Sequence, residues 1–200
     1  MKIRTVASGV TLIALIVCTS YTSAAQQTKE RVIKRLPVEQ NEPLAITDIK
    51  VNGQSVSFDA KFFADDDWMR TLVFSIKNKS DKRILFVNLD LFFDRPQSSK
   101  DPGAMFDLLS YGNWALQRRP PTAGEQLVGI APGETGEIGF SVQRFVDLTR
   151  FLIDAGFPPS VGKVDMRLGR VIFEDDTMWY AGSQFRRDPN NPSGWNNVSP

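Results

Sequence analysis

Histidine is absent from this chain, and its single cysteine, Cys18, falls inside an N-terminal leader. Without imidazole, the usual general base, metal ligand and near-neutral pH switch are lost together. Without a thiol in the segment that would remain after export, thiol nucleophiles, disulfides and most transition-metal sites are lost as well. Neither a Gly-x-Ser-x-Gly elbow nor a Gly-rich phosphate loop is present. Only a serine–lysine arrangement could then activate a serine, and none is read here. No cofactor and no metal site is expected, and enzymatic activity is disfavoured.

The leader itself has the pattern of an export signal. Lys2 and Arg4 precede an apolar core from Val10 to Cys18, too short for the roughly 20 apolar residues that span a bilayer. Ser23-Ala24-Ala25 then supplies the small residues that a signal peptidase reads. Cleavage after Ala25 is expected. Val17 stands where a lipobox needs a small residue, which argues against lipidation at Cys18. Removing Lys2 and Arg4 from 24 basic residues leaves 22 against 23 acidic, a net charge of about −1. That balance gives no footprint for nucleic acid or anionic membranes. A cysteine-free exported domain suits a bacterial periplasm or surface better than a eukaryotic secretory route, so the expected location is secreted or periplasmic, with no stable membrane span after cleavage.

Residues 26–43 mix charge with Pro37 and Pro43 and read as a flexible linker. Residues 44–188 read as one domain and 189–200 as a tail. Within the domain the two-residue period dominates. Leu72, Phe74 and Ile76 share one side of an extended run, and Leu85, Val87, Leu89, Leu91 and Phe93 share one side of the next. The polar segment Asn78 to Lys82 between them predicts an antiparallel hairpin. The other face of the second run, Ile84, Phe86, Asn88, Asp90 and Phe92, is mixed, which predicts a central strand partly covered by a loop. Further strands are expected over 45–51, 55–62, 126–130, 137–143, 163–173 and 178–182. Phe145, Leu148 and Leu152 fall at helical spacing and Gly156 closes that segment, predicting a helix over 144–155. The expected fold is mainly β, an antiparallel sandwich with one short helical connection.

Two turn segments carry a resemblance. Asn78-Lys79-Ser80-Asp81-Lys82 and Ala131-Pro132-Gly133-Glu134 resemble turns of bacterial extracytoplasmic immunoglobulin-like sandwiches. The run Val171 to Gly182, continuing through Arg186-Arg187-Asp188-Pro189-Asn190-Asn191-Pro192 to Trp195, resembles the ending of uncharacterised exported bacterial proteins, in which glycine often stands at the position of Asp176 here. The resemblance implies an immunoglobulin-like β-sandwich and an extracytoplasmic compartment, and no activity.

Three clusters could carry chemistry. Asp65-Asp66-Asp67 has the density for calcium or a glycosidase carboxylate, yet it sits between expected strands and reads first as a solvated turn. Glu174-Asp175-Asp176-Thr177 reads as a hairpin turn. Trp179, Phe185, Arg186, Arg187 and Trp195, with Tyr180, concentrate rigid rings and guanidinium groups near the C-terminus. Such groups bind sugars, peptides or protein surfaces at low entropic cost, and these five are the candidate ligand-binding residues. The functional expectation is a non-catalytic binding or envelope-associated module with a protein or carbohydrate partner. A carboxylate-dependent glycoside hydrolase and a structural accessory subunit of an envelope complex are the alternatives.

Overall fold

A computed structural model describes residues 28–94, 105–158 and 160–198. The export signal and the loop expected over Arg95 to Gly103 lie outside the described residues. The apolar run at 84–93 forms one ten-residue strand, β6 (Ile84–Phe93). It lies antiparallel along β9 (Lys163–Phe173), paired from Asp165 to Phe173. Val87, Leu89, Leu91 and Phe93 face the core with at most 1 % exposure. Leu85 does not join them. The register against β9 shifts between Ile84 and Phe86, so Ile84 turns into the main core and Leu85 lies with Phe86 in a second, smaller cluster.

Strand β9 is the axis of a mixed, eight-stranded sheet. Beyond β6 lies β7 (Met105–Gly112). The other side of β9 is shared: β1 (Lys29–Arg35) runs parallel to its first half, with β4 (Lys61–Ala64) outside it. The second half of β9 pairs with β10 (Thr177–Tyr180), followed by β11 (Ser183–Arg187) and β12 (Trp195–Asn197). A second, antiparallel sheet has the order β3 (Gln54–Val56), β2 (Leu44–Val51), β5 (Val73–Asn78), β8 (Thr135–Gly139). One core joins the two sheets, with Ile49, Phe74, Ile76 and Ile138 from the small sheet and Ile33, Leu89, Met166 and Trp179 from the large one.

The expected hairpin between the runs at 72–76 and 85–93 does not form. Strand β5 belongs to the small sheet and β6 to the large one. Asn78 redirects the chain: its Nδ2 donates to the carbonyls of Lys82 at 2.7 Å and Ile130 at 2.9 Å, and its Oδ1 accepts from the Ser80 amide at 2.9 Å. A buried carboxamide thus turns the segment into an arch between sheets. The linker expected at 26–43 is also corrected, because Lys29–Arg35 is strand β1. Its charged composition hides the pattern: Ile33 is fully buried, and Arg31 is buried on the carbonyls of Val161 (3.1 Å) and Asp65 (2.9 Å). The expected strand at 55–62 divides into β3 and β4 in different sheets, 126–130 supplies only a bridge at Ile130, and the expected tail contains β12.

The helix at 144–155 is present as α1 (Val142–Asp154). Ser141 caps it by accepting the Arg144 amide at 3.2 Å. At its end the amides of Phe157 and Gly156 bond to the carbonyls of Leu152 and Ile153, with Gly156 at φ +84°, a Schellman closure that needs a left-handed residue. Leu148 and Leu152 bury its inner face. Among the described residues no helix is long and apolar enough to cross a membrane.

Candidate functional site

The outer face of the large sheet, away from the main core, carries an irregularity at its centre. Opposite the single residue Asn88 of β6, strand β9 places two residues, Gly169 and Arg170. This bulge re-aims the side chains around it. The Arg170 amide donates to Asn88 Oδ1 at 2.8 Å, Asn88 Nδ2 donates to Asp90 Oδ1 at 2.6 Å, and Arg167 Nη2 donates to Asp90 Oδ2 at 2.8 Å. Asn88 and Asp90 are buried and bonded to each other, which fixes the geometry of the network. The bond to Asp90 raises the Arg167 guanidinium above its ordinary value, and that group lies 5.2 Å over the Phe92 ring. Arg170 turns the other way. Its Nη1 donates to Gln117 Oε1 at 2.6 Å and its guanidinium lies 5.5 Å over Tyr180.

Two segments wall this floor. The first is the short 3-10 turn Trp114–Gln117, which inserts Leu116 among Leu85, Phe86, Ile172 and Met178. Glu125 organises the loop behind it, accepting from Arg119 at 2.8 Å, from the Thr122 amide at 3.0 Å and from Asn113 at 2.5 Å. The Arg119 hydrogen bond, with help from Thr122, holds the Glu125 carboxyl down to about 2. The second wall is the β10–β11–β12 region. Arg187 pins it to the first wall by donating to the Leu116 carbonyl at 2.7 Å, and Trp195 Nε1 donates to the Gln117 carbonyl at 3.2 Å.

Between floor and walls lies a cavity of about 670 Å³, in the range typical of small-molecule sites. Trp114, Tyr180, Phe185 and Trp195 supply rings to it, and Asn88, Asp90, Arg167, Arg170, Gln117 and Arg118 supply polar groups. Comparison with known proteins adds no precedent. No family model, no curated protein and no solved structure matches this chain.

Of the five residues expected to bind ligand, Phe185 and Trp195 line the cavity. Trp179 does not: it is 1 % exposed in the main core, with Nε1 bonded to the Gln40 carbonyl at 3.3 Å. Arg187 is buried and holds structure, stacked 4.2 Å from Trp195 and paired with Asp176 at 3.0 Å. Arg186 is exposed and is not among the lining residues. Alternation along β11 separates Arg186 from its two neighbours. Asp176 adopts φ +56°, the left-handed turn a glycine would make, and its Oδ1 gains the Arg187 partner that glycine lacks.

In the remaining clusters Asp175, Lys163 and Asp66 are engaged elsewhere. Asp175 accepts from Thr177 Oγ1 at 2.5 Å and pairs with Lys82 at 2.7 Å, as a turn between β9 and β10 requires. A serine–lysine spacing is present after all, at Ser160 and Lys163. Lys163 Nζ lies on Asp94 at 2.8 Å and Asp165 at 3.1 Å, bonds that raise its pKa and keep it a cation instead of a base. Asp66 pairs with Lys29 and with Arg31, both at 2.9 Å. The Lys29 ammonium, with Arg31, pulls the Asp66 carboxyl from 3.8 down to about 2. A depressed folded pKa stabilises above the unfolded value and ceases to do so as pH falls through the folded one. The melting temperature of Asp66→Asn should therefore lie below that of the parent at neutral pH, and the gap should close between about pH 4 and pH 2. A gap of constant size across that window would refute the pairing.

Proposed function

We propose that the chain is an exported, non-catalytic binding module of immunoglobulin-like sandwich form, and that the cavity on the outer face of its large sheet is the ligand seat. The single observation that carries this reading is the combination in one cavity of a buried, bulge-fixed polar floor and aromatic walls. A buried polar network costs free energy unless every member is paired, and here it lies beneath an open space instead of sealing a core. The non-catalytic reading rests on chemistry. Glycoside hydrolysis uses two carboxylates across the bond, whereas among the described residues the cavity lining contains one, Asp90, already engaged by Arg167 and Asn88. The sandwich reading draws on two sheets sharing a core and on a helical connection between β8 and β9. An envelope location rests on the N-terminal signal pattern.

The test uses the full chain and a Ser193→Trp variant, which puts a bulky ring at an exposed position of the cavity lining. Both are incubated with a soluble cell-envelope extract, desalted, and weighed by native mass spectrometry. The parent should retain an adduct that the variant lacks. An adduct held equally by both would place the ligand elsewhere, and no adduct on either would remove the binding function.

A further inference from the structure

We propose that the cavity takes an acidic saccharide, with Arg118 and the Gln117 amide receiving a uronate carboxylate while the aromatic walls carry the sugar ring. The inference rests on the reading of the cavity as a ligand seat and concerns what sits there. Charge is the first argument. Among the described residues the lining holds three guanidinium groups against one carboxylate, and that carboxylate is spent on Arg167. Arg170 has only the neutral Gln117 and the Tyr180 ring as side-chain partners, and Arg118 has no side-chain partner among the described residues. Neither guanidinium has an acidic partner among the described residues, so a ligand carboxylate would meet unopposed positive charge there. Arg suits the role because its fork meets a carboxylate with two parallel hydrogen bonds.

The second argument is an unmet donor. Gln117 lines the cavity, is more than nine-tenths buried, and has its Oε1 fixed by Arg170, which leaves Nε2 buried with no partner. A native protein rarely leaves such a donor unpaired; Nε2 has almost no surface open to the cavity, so it meets a ligand oxygen only once the Gln117 side chain turns toward the space it lines. The third argument is shape. A peptide is usually recognised at a strand edge, through backbone hydrogen bonds. Here the floor is mid-sheet, with β6 paired to β7 and β9, and β9 paired on both sides, so recognition falls to side chains. A compact molecule with an apolar ring face and a polar, charged rim matches exposed Trp114 and half-buried Tyr180, Phe185 and Trp195 set around that floor.

Isothermal titration with tetragalacturonate, its fully methyl-esterified form and a tetra-aspartate peptide tests the proposal on the full chain. Tetragalacturonate should bind, more weakly as salt rises, and the ester should bind about tenfold more weakly or worse. Arg118→Ala should lower the acid oligomer's affinity by about fivefold or more with the melting temperature unchanged, since it removes the receiving cation at an exposed position, and Gln117→Glu should lower that affinity by a similar factor, since its carboxylate pairs with Arg170 and opposes the ligand's charge. Ester binding as tight as acid would overturn the anionic requirement, and tetra-aspartate binding as well as the uronate would overturn the saccharide. If no probe binds, the saccharide assignment fails, while the ligand seat itself is judged by the envelope adduct on the parent and Ser193→Trp chains, which presupposes no ligand class.

Discussion

Leu89→Ala is expected to destabilise the protein by about 2 to 5 kcal/mol, read as a lower urea midpoint with an unchanged slope. Leu89 is fully buried at the middle of β6, paired with Leu109 on one side and Leu168 on the other. Its side chain points into the core shared by the two sheets. Strands on both flanks hold the backbone in place, so the space vacated by the isobutyl group cannot collapse and the lost burial is compounded by a cavity. Phe63→Ala is the matched control. Phe63 is larger but 72 % exposed on β4, and its removal should move the midpoint little. Equal midpoints for the parent and Leu89→Ala would mean that the β6 register is wrong.

That register was legible in the sequence because it is local. The unbroken alternation Val87, Leu89, Leu91, Phe93 marks the face that meets the main core, and the mixed opposite face already signalled partial cover. The bounds of β9 and the helix at 144–155 follow from the same kind of pattern. What the sequence hid is non-local. Nothing in Val73–Asn78 or Ile84–Phe93 tells whether the polar segment between them closes a hairpin or arches between sheets; the choice is made by Asn78 reaching the carbonyl of Ile130, far along the chain. In β1 the alternation is carried by Arg31 as a buried member, and buried arginine looks like solvent-facing charge until its acceptors at Val161 and Asp65 are known.

The site divides the same way. Phe185 and Trp195 were visible as a concentration of aromatic side chains, and Asn88 and Asp90 as polar breaks in an apolar strand. Arg167 and Arg170 were not, because β6 and β9 meet only through pairing across 77 residues between Asp90 and Arg167. A signal did exist. Arg167 and Arg170 interrupt a strand whose Val164, Met166 and Leu168 are core, and two adjacent central strands with polar outer faces call for a cover or a ligand. Trp179 and Arg187 misled for a simpler reason: rings and guanidinium groups that bind ligands are the same ones that fill cores and pin turns.

Gly169→Ala should damage the floor of the cavity directly. A Cβ on Gly169 would lie 2.1 Å from Asn88 Nδ2 and 2.6 Å from Asp90 Oδ1, distances that side chains do not tolerate. Asn88 cannot step aside without cost, since its Oδ1 holds the Arg170 amide and its Nδ2 holds Asp90, all in a buried setting. Overpacking of this kind costs about 1 to 3 kcal/mol, and the displaced Asp90 would release Arg167 from its position over Phe92. The melting temperature should fall, and the envelope adduct should be lost with it. Asn88→Ala separates the steric cause from a general intolerance of β9 to substitution, because removing the carboxamide takes away the closest contact of the new methyl and frees Asp90, the other one, to shift. In a double-mutant cycle the two changes should couple favourably by about 0.5 to 3 kcal/mol, so that Gly169→Ala costs clearly less in the Asn88→Ala background than in the parent. Strict additivity would mean that Asn88 is not what makes glycine necessary at 169, and the bulge would lose its role as the device that builds the site.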